Sequence, residues 1–159
     1  MTVYFILKYL HIIGATVLLG TGAGIAFFML LAHLGRDPAV IAGVARIVVI
    51  ADFLFTASAV VVQPVTGILL ARELGYPLTE GWILLSIILY LVTGAFWLPV
   101  VWMQLRMRDL ARAAVISCEP LPPLYFTLFR WWFAFGIPAF AAVMAILWLM
   151  IVRPAISFW

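Results

Sequence analysis

An all-α integral membrane fold, a bundle of four transmembrane helices with short loops and both termini on the same side, is what this sequence predicts. Three observations carry that expectation. Of 159 residues, 68% are hydrophobic and only 9% charged, whereas a soluble domain carries about a quarter charged residues. A domain this small needs a polar exterior if it faces water, so a greasy core does not account for the deficit. The apolar residues also fall into four long runs, each able to cross a bilayer, which takes roughly 20 helical residues.

The first run extends from about residue 3 to 34, broken only by Lys8 and His11 near its start. It lacks a basic leader and continues far beyond the length of a signal-peptide core, so it is expected to remain as the first helix. Gly35-Arg36-Asp37-Pro38 makes a short turn, with Asp37 suited to an N-cap and Pro38 to the first helical position. The second helix is expected over about 38–72, its opening turns less apolar around Arg46. Gly75 to Thr79 form the second loop, with Thr79 a candidate cap for a third helix over about 80–108. Glu119-Pro120-Leu121-Pro122-Pro123 breaks the chain before a fourth helix over about 124–152. Residues 1–159 thus read as one four-helix transmembrane domain without internal repeats.

Charge placement gives an orientation. Arg36, Arg46, Arg106, Arg108, Arg112 and Arg130 lie toward loops one and three, against Lys8, Arg72 and Arg153 on the other side. Six against three places loops one and three in the cytoplasm and both termini outside. The net charge of +3 is therefore an orientation signal and not a nucleic-acid footprint. Cys118 stands alone, which excludes an internal disulfide or a thiolate metal cluster, and falls on the reducing side. Tyr4, Trp82, Trp102, Trp131, Trp132 and Trp159 lie toward helix ends and read as interfacial anchors. The bilayer is the first partner implied.

Polar residues inside the runs are costly there and call for a partner or a task. They form two layers. His11, Gln63 and Tyr90 each lie roughly eight or nine residues from the outer helix ends, about 12 to 15 Å deep at ~1.5 Å per residue. Met144 reaches a comparable depth. His11 is a candidate metal ligand: a neutral imidazole ligates haem iron or another metal, or relays protons. Gly14 and Gly22 share its helix face and would leave room for a flat macrocycle. Equally, the glycines permit close helix packing, as the Gly20/Gly24 pair does in a GxxxG pattern, with His11 merely bonding a carbonyl or Tyr90. Met144 is the soft donor at matching depth. His33 lies about 33 Å along the helix from His11 and cannot share its iron.

The inner layer contains Asp52, Gln104 and Arg130. A structural ion pair of Asp52 with Arg130, or with Arg46, is the favoured reading, and a proton path the alternative. Pro64, Pro99 and Pro138 lie inside helices, where each removes a hydrogen bond and bends the axis. Phosphate loops, nucleophile–base pairs and HExxH-type metal motifs are missing, which sets aside soluble-type hydrolysis and nucleotide chemistry.

Residues 51–56, the Gln63-Pro64-Val65-Thr66-Gly67 stretch, residues 97–104 and Arg130-Trp131-Trp132 through Phe140 resemble an uncharacterised family of bacterial four-helix integral membrane proteins, a domain of unknown function. That likeness covers nearly the whole chain and implies a bacterial inner-membrane location. Leu7-Lys8-Tyr9-Leu10-His11-Ile12-Ile13-Gly14 resembles the first helix of the HemJ-type and CopD-like membrane proteins, in which a histidine at this place is associated with haem b. The resemblance implies haem b at His11, with electron transfer or small-molecule oxidation as the task, and a second copy of the chain or a membrane redox partner alongside. HemJ proteins have a basic residue in the third helix tied to activity, whereas residues 82–103 contain no Lys, Arg or His. That departure counts against protoporphyrinogen oxidation. A non-catalytic role, as an assembly factor or a subunit of a transporter or respiratory complex, is the other class. The orientation predicts that a membrane-impermeant thiol reagent labels Cys118 in inverted vesicles and not in intact cells; labelling from outside would invert it.

Overall fold

The computed structural model describes residues 2–157 and is helical with short connections. Four helices are long and apolar enough to span a membrane: α1 (Thr2–Gly35), α2 (Pro38–Glu73), α3 (Gly81–Ser117) and α4 (Pro123–Val152). Their outward faces are apolar, as at Ile47, Leu91, Trp102, Trp131 and Ile151. In lipid that surface is solvated, and only the inward stripe must find partners within the protein.

The helix ends follow local chemistry. Arg36 turns into the left-handed region (φ 54°) and stops α1. Asp37 then accepts the amides of Ala39 (2.8 Å) and Val40 (3.5 Å), with Pro38 at the first position, as a cap should. After α2, Gly75 takes φ 73° and the Tyr76 amide returns to the Ala71 carbonyl at 2.9 Å, closing the end. The expected cap at Thr79 does not form. Glu80 occupies the N-cap and makes no side-chain bond to the helix.

Helix α3 runs to Ser117, nine residues beyond the expected end near 108, because its polar-looking end still has an apolar face. Met107, Ala111 and Ala114 pack with Ile41, Ala45, Leu121 and Tyr125 in the larger core cluster, at the end bearing loops one and three. At 37 residues and ~1.5 Å each, α3 is about 55 Å long, well beyond the ~30 Å hydrocarbon. A smaller cluster of Ala71, Trp82, Ile83 and Leu149 closes the loop-two end. Trp82 and Trp132 are therefore core residues and not lipid anchors, whereas Trp102 and Trp131 are exposed. Trp159 lies outside the described residues.

Within α2, Asp52–Thr56 forms a π-turn between two α-helical halves. Residues buried along α2 include 41, 45, 48, 52, 56, 59, 63 and 66. Steps of three and four alternate except across 48, 52 and 56, where two fours follow each other. A π-turn, wider than an α-turn, absorbs that extra residue and keeps the buried stripe continuous. Before the π-turn α2 lies against α3 and α1; beyond it α2 lies mainly against α1, while α3 and α4 pack along each other. Asp37→Ala should lower stability by about 1 kcal/mol, the usual worth of such a cap, and Thr79→Ala should change little. Thermal unfolding of both variants in one detergent checks this.

Candidate functional site: two polar layers on one helix

The polar members of α2's buried stripe are Asp52, Thr56, Gln63 and Thr66, all less than 9% exposed. They span 15 residues, about 21 Å of helix. Each must meet a neighbouring helix, because hydrocarbon offers no hydrogen bonds.

At the loop-two half, the stripe meets α1. Gln63 Nε2 donates to the His11 carbonyl at 2.8 Å, beside buried Gly14. A Cβ on Gly14 would stand 2.5 Å from that nitrogen. Gly14 therefore makes room for the Gln63 amide, and the expectation that it lies against a macrocycle is corrected. Gly22 has nothing within 4 Å of where its Cβ would be.

The His11 ring is held by Thr66. Its Nδ1 is 2.9 Å from Thr66 Oγ1, which is also 2.8 Å from the Val62 carbonyl and 3.2 Å from the Gln63 carbonyl. A hydroxyl has one hydrogen, and the two carbonyls only accept. Both carbonyls also take helix amides, so Oγ1 bonds the ring whichever of the two supplies the hydrogen, and the tautomer sets the direction. Nε2 bonds no other described group. Gly67 completes the seat: a Cβ there would come within 3.2 Å of His11 Cε1.

Tyr90 and Met144 do not join His11. The Tyr90 hydroxyl donates to the Val60 carbonyl, one turn from Gln63, tying α3 to α2. Met144 is 47% exposed on the outer face of α4 and contributes nothing to this layer. Among the described residues, no group of three or more His, Cys, Asp or Glu is arranged to hold a metal ion.

In the other half, the stripe meets α3 and α4. Trp97 Nε1 donates to Asp52 Oδ1 at 3.3 Å. The Gln104 amide is oriented by its neighbours: Nε2 donates to Asp52 Oδ2 at 3.2 Å, and Oε1 accepts from Trp132 Nε1 at 3.2 Å. This chain joins three helices. The expected ion pair with Arg130 is not formed, nor is one with Arg46. Both arginines are exposed, and among the described residues the sole salt bridge is Arg108–Asp109 at 2.8 Å. Both side chains lie on the outer surface of their helices, and neutral N–H donors stand beside the carboxyl in their place.

This architecture matches a family model described as a predicted integral membrane protein, DUF2269, over residues 5–154. The chain belongs to the DUF2269 family. No curated protein and no solved structure matches it. Membership supports the four apolar helices and leaves chemistry to the residues of this DUF2269 protein.

Thr66, Gly67, Trp97 and Trp132 were not singled out from sequence as site residues. Thr66 lies three residues from Gln63, and Trp97 seven from Gln104, so each shares a face with a residue that was. Gln104→Leu and Trp132→Phe should show a coupling of about 0.5–2 kcal/mol in a double-mutant cycle. Asp52→Asn and Arg130→Gln should be additive; a comparable coupling there would restore the ion pair.

Proposed function

We propose that this DUF2269 protein is a redox protein of the bacterial inner membrane that holds haem b through His11. One observation carries the reading: Thr66 holds His11 through Nδ1 at 2.9 Å, and Nε2 has no competing partner among the described residues, so the ring can ligate through Nε2 when Nδ1 donates to Thr66. A ligating histidine typically donates its other ring N–H to a protein acceptor, which sets its tautomer and orientation. Gly22, which shares the His11 face of α1 and is open beyond the backbone, is compatible with a flat group close to the helix.

In this reading His11 would hold the iron through Nε2, with Thr66 orienting the ring, Gly67 admitting it against α2 and Gln63 fixing the α1 backbone beside it. Haem would supply one-electron exchange. Met144 is on the wrong face and His33 on the wrong end, so the described residues offer one axial ligand. The partly exposed position of His11 favours a second copy of the chain, or a membrane redox partner, alongside this site. The arginine bias further favours cytoplasmic loops one and three, with His11 in the outer half.

The same bonds also favour a second reading, in which His11 and Gln63 only tie α1 to α2 in a non-catalytic membrane component. Reduced-minus-oxidised spectra of the purified protein separate the two. Soret and α bands are expected for the wild type. Their loss is expected in a monodisperse His11→Ala protein, along with weakened haem retention in Thr66→Val. A colourless wild-type preparation from haem-replete cells would sink the proposal, as would wild-type haem content in His11→Ala.

A further inference from the structure

Asp52 takes no part in the His11 site, yet it is the most deeply buried ionisable side chain of the stripe, at 3% exposure. Its oxygens each receive one N–H, from Trp97 and from Gln104. One turn further along the same face, Thr56 Oγ1 is buried and has no hydrogen-bond partner. Helical threonines commonly return the hydroxyl to the carbonyl four residues back, as Thr16, Thr66 and Thr93 do here. At Thr56 that carbonyl belongs to Asp52, lies in the π-turn where it accepts the Ala57 amide, and does not receive the hydroxyl. The Thr56 hydroxyl is left buried and uncommitted, one turn from the carboxyl on the same buried face.

Among the described residues no counter-charge pairs with Asp52. On α1, residues 12–32 contain no titratable side chain. On α3, Tyr90 is the only one across 82–103, and it is bonded to Val60. Arg130 on α4 and Arg46 on α2 are exposed and form no ion pair. A bare carboxylate without a cation is expensive in hydrocarbon.

We propose that Asp52 and Thr56 form a reversible proton-binding site, in which the neutral acid donates its O–H to Thr56 Oγ1 and the ionised form accepts the Thr56 O–H in return. Trp97 and Gln104 donate in both states, and a hydroxyl is the one neighbour able to reverse its role. On release, the carboxyl O–H bond breaks, the electron pair stays on the carboxylate and the proton passes to water. The π-turn supports the exchange by leaving the hydroxyl without a backbone partner; such turns are frequent at functional sites. The site stands whether or not His11 holds haem.

Infrared difference spectra of the full chain in lipid nanodiscs, recorded between alkaline and acid pH, test this. The expected result is a protonated-carboxyl C=O band that grows on acidification, is lost in Asp52→Asn and moves to higher frequency in Thr56→Val. The shift follows from losing the acceptor of the acid's O–H. The five other acids of the chain are exposed or at helix ends and keep their signals in both variants. Thr56→Val is close to isosteric and retains the carboxyl, so it carries the test alone if Asp52→Asn does not fold. The proposal is overturned if no carboxyl band depends on Asp52, if the band does not change with pH, or if Thr56→Val leaves its frequency unchanged.

Discussion

Hydrocarbon solvates apolar side chains as well as a protein core does, but gives nothing to a hydroxyl, an amide or a carboxyl. On α2, four polar side chains lie on one buried stripe, and three of them, Asp52, Gln63 and Thr66, are answered by neighbouring helices. Asp52 draws in Trp97 and, through Gln104, Trp132. Gln63 and Thr66 draw in α1 through the carbonyl and ring of His11. The second helix is thus the element on which the other three are registered, and the π-turn keeps its stripe in line across both halves of the membrane.

Apolar packing then closes the two ends around this polar seam. The larger cluster, centred on Met29, Met107 and Tyr125, lies toward loops one and three, where the long end of α3 extends beyond the bilayer. At the other end, Trp82 packs with Ala71 and Leu149, and the Arg153 guanidinium stands 5.7 Å from its ring. Packing at the ends and hydrogen bonding along the seam are complementary. Dispersion holds helices together without fixing their register, whereas hydrogen-bond geometry does fix it.

The two polar layers are chemically different, which is why they support different proposals. Around His11 a hydroxyl in reach of its own backbone also holds the ring by one nitrogen and leaves the other free. Around Asp52 an uncommitted hydroxyl leaves two proton arrangements open. The same residue type, threonine, does opposite things because the helix is α at Thr66 and π at Thr56.

The helix count, the capped turn at Asp37–Pro38 and the polar layers were readable from the sequence, because hydropathy, spacing and charge are local or one-dimensional properties. Depth counting also put His11 with Gln63, and Asp52 with Gln104, since rise per residue is fixed in a helix. Rotation about the helix axis is not. It depends on which neighbours pack where, and it sent Met144 and Arg130 outward, brought Trp82 and Trp132 inward and placed Gln63 against Gly14. The π-turn was visible only as two successive four-residue steps, a pattern that acquires meaning once the buried face is known. The bond between His11 and Thr66 and the idle hydroxyl of Thr56 were decided by tertiary structure alone, because each depends on the directions of three or more atoms brought together from different turns or different helices.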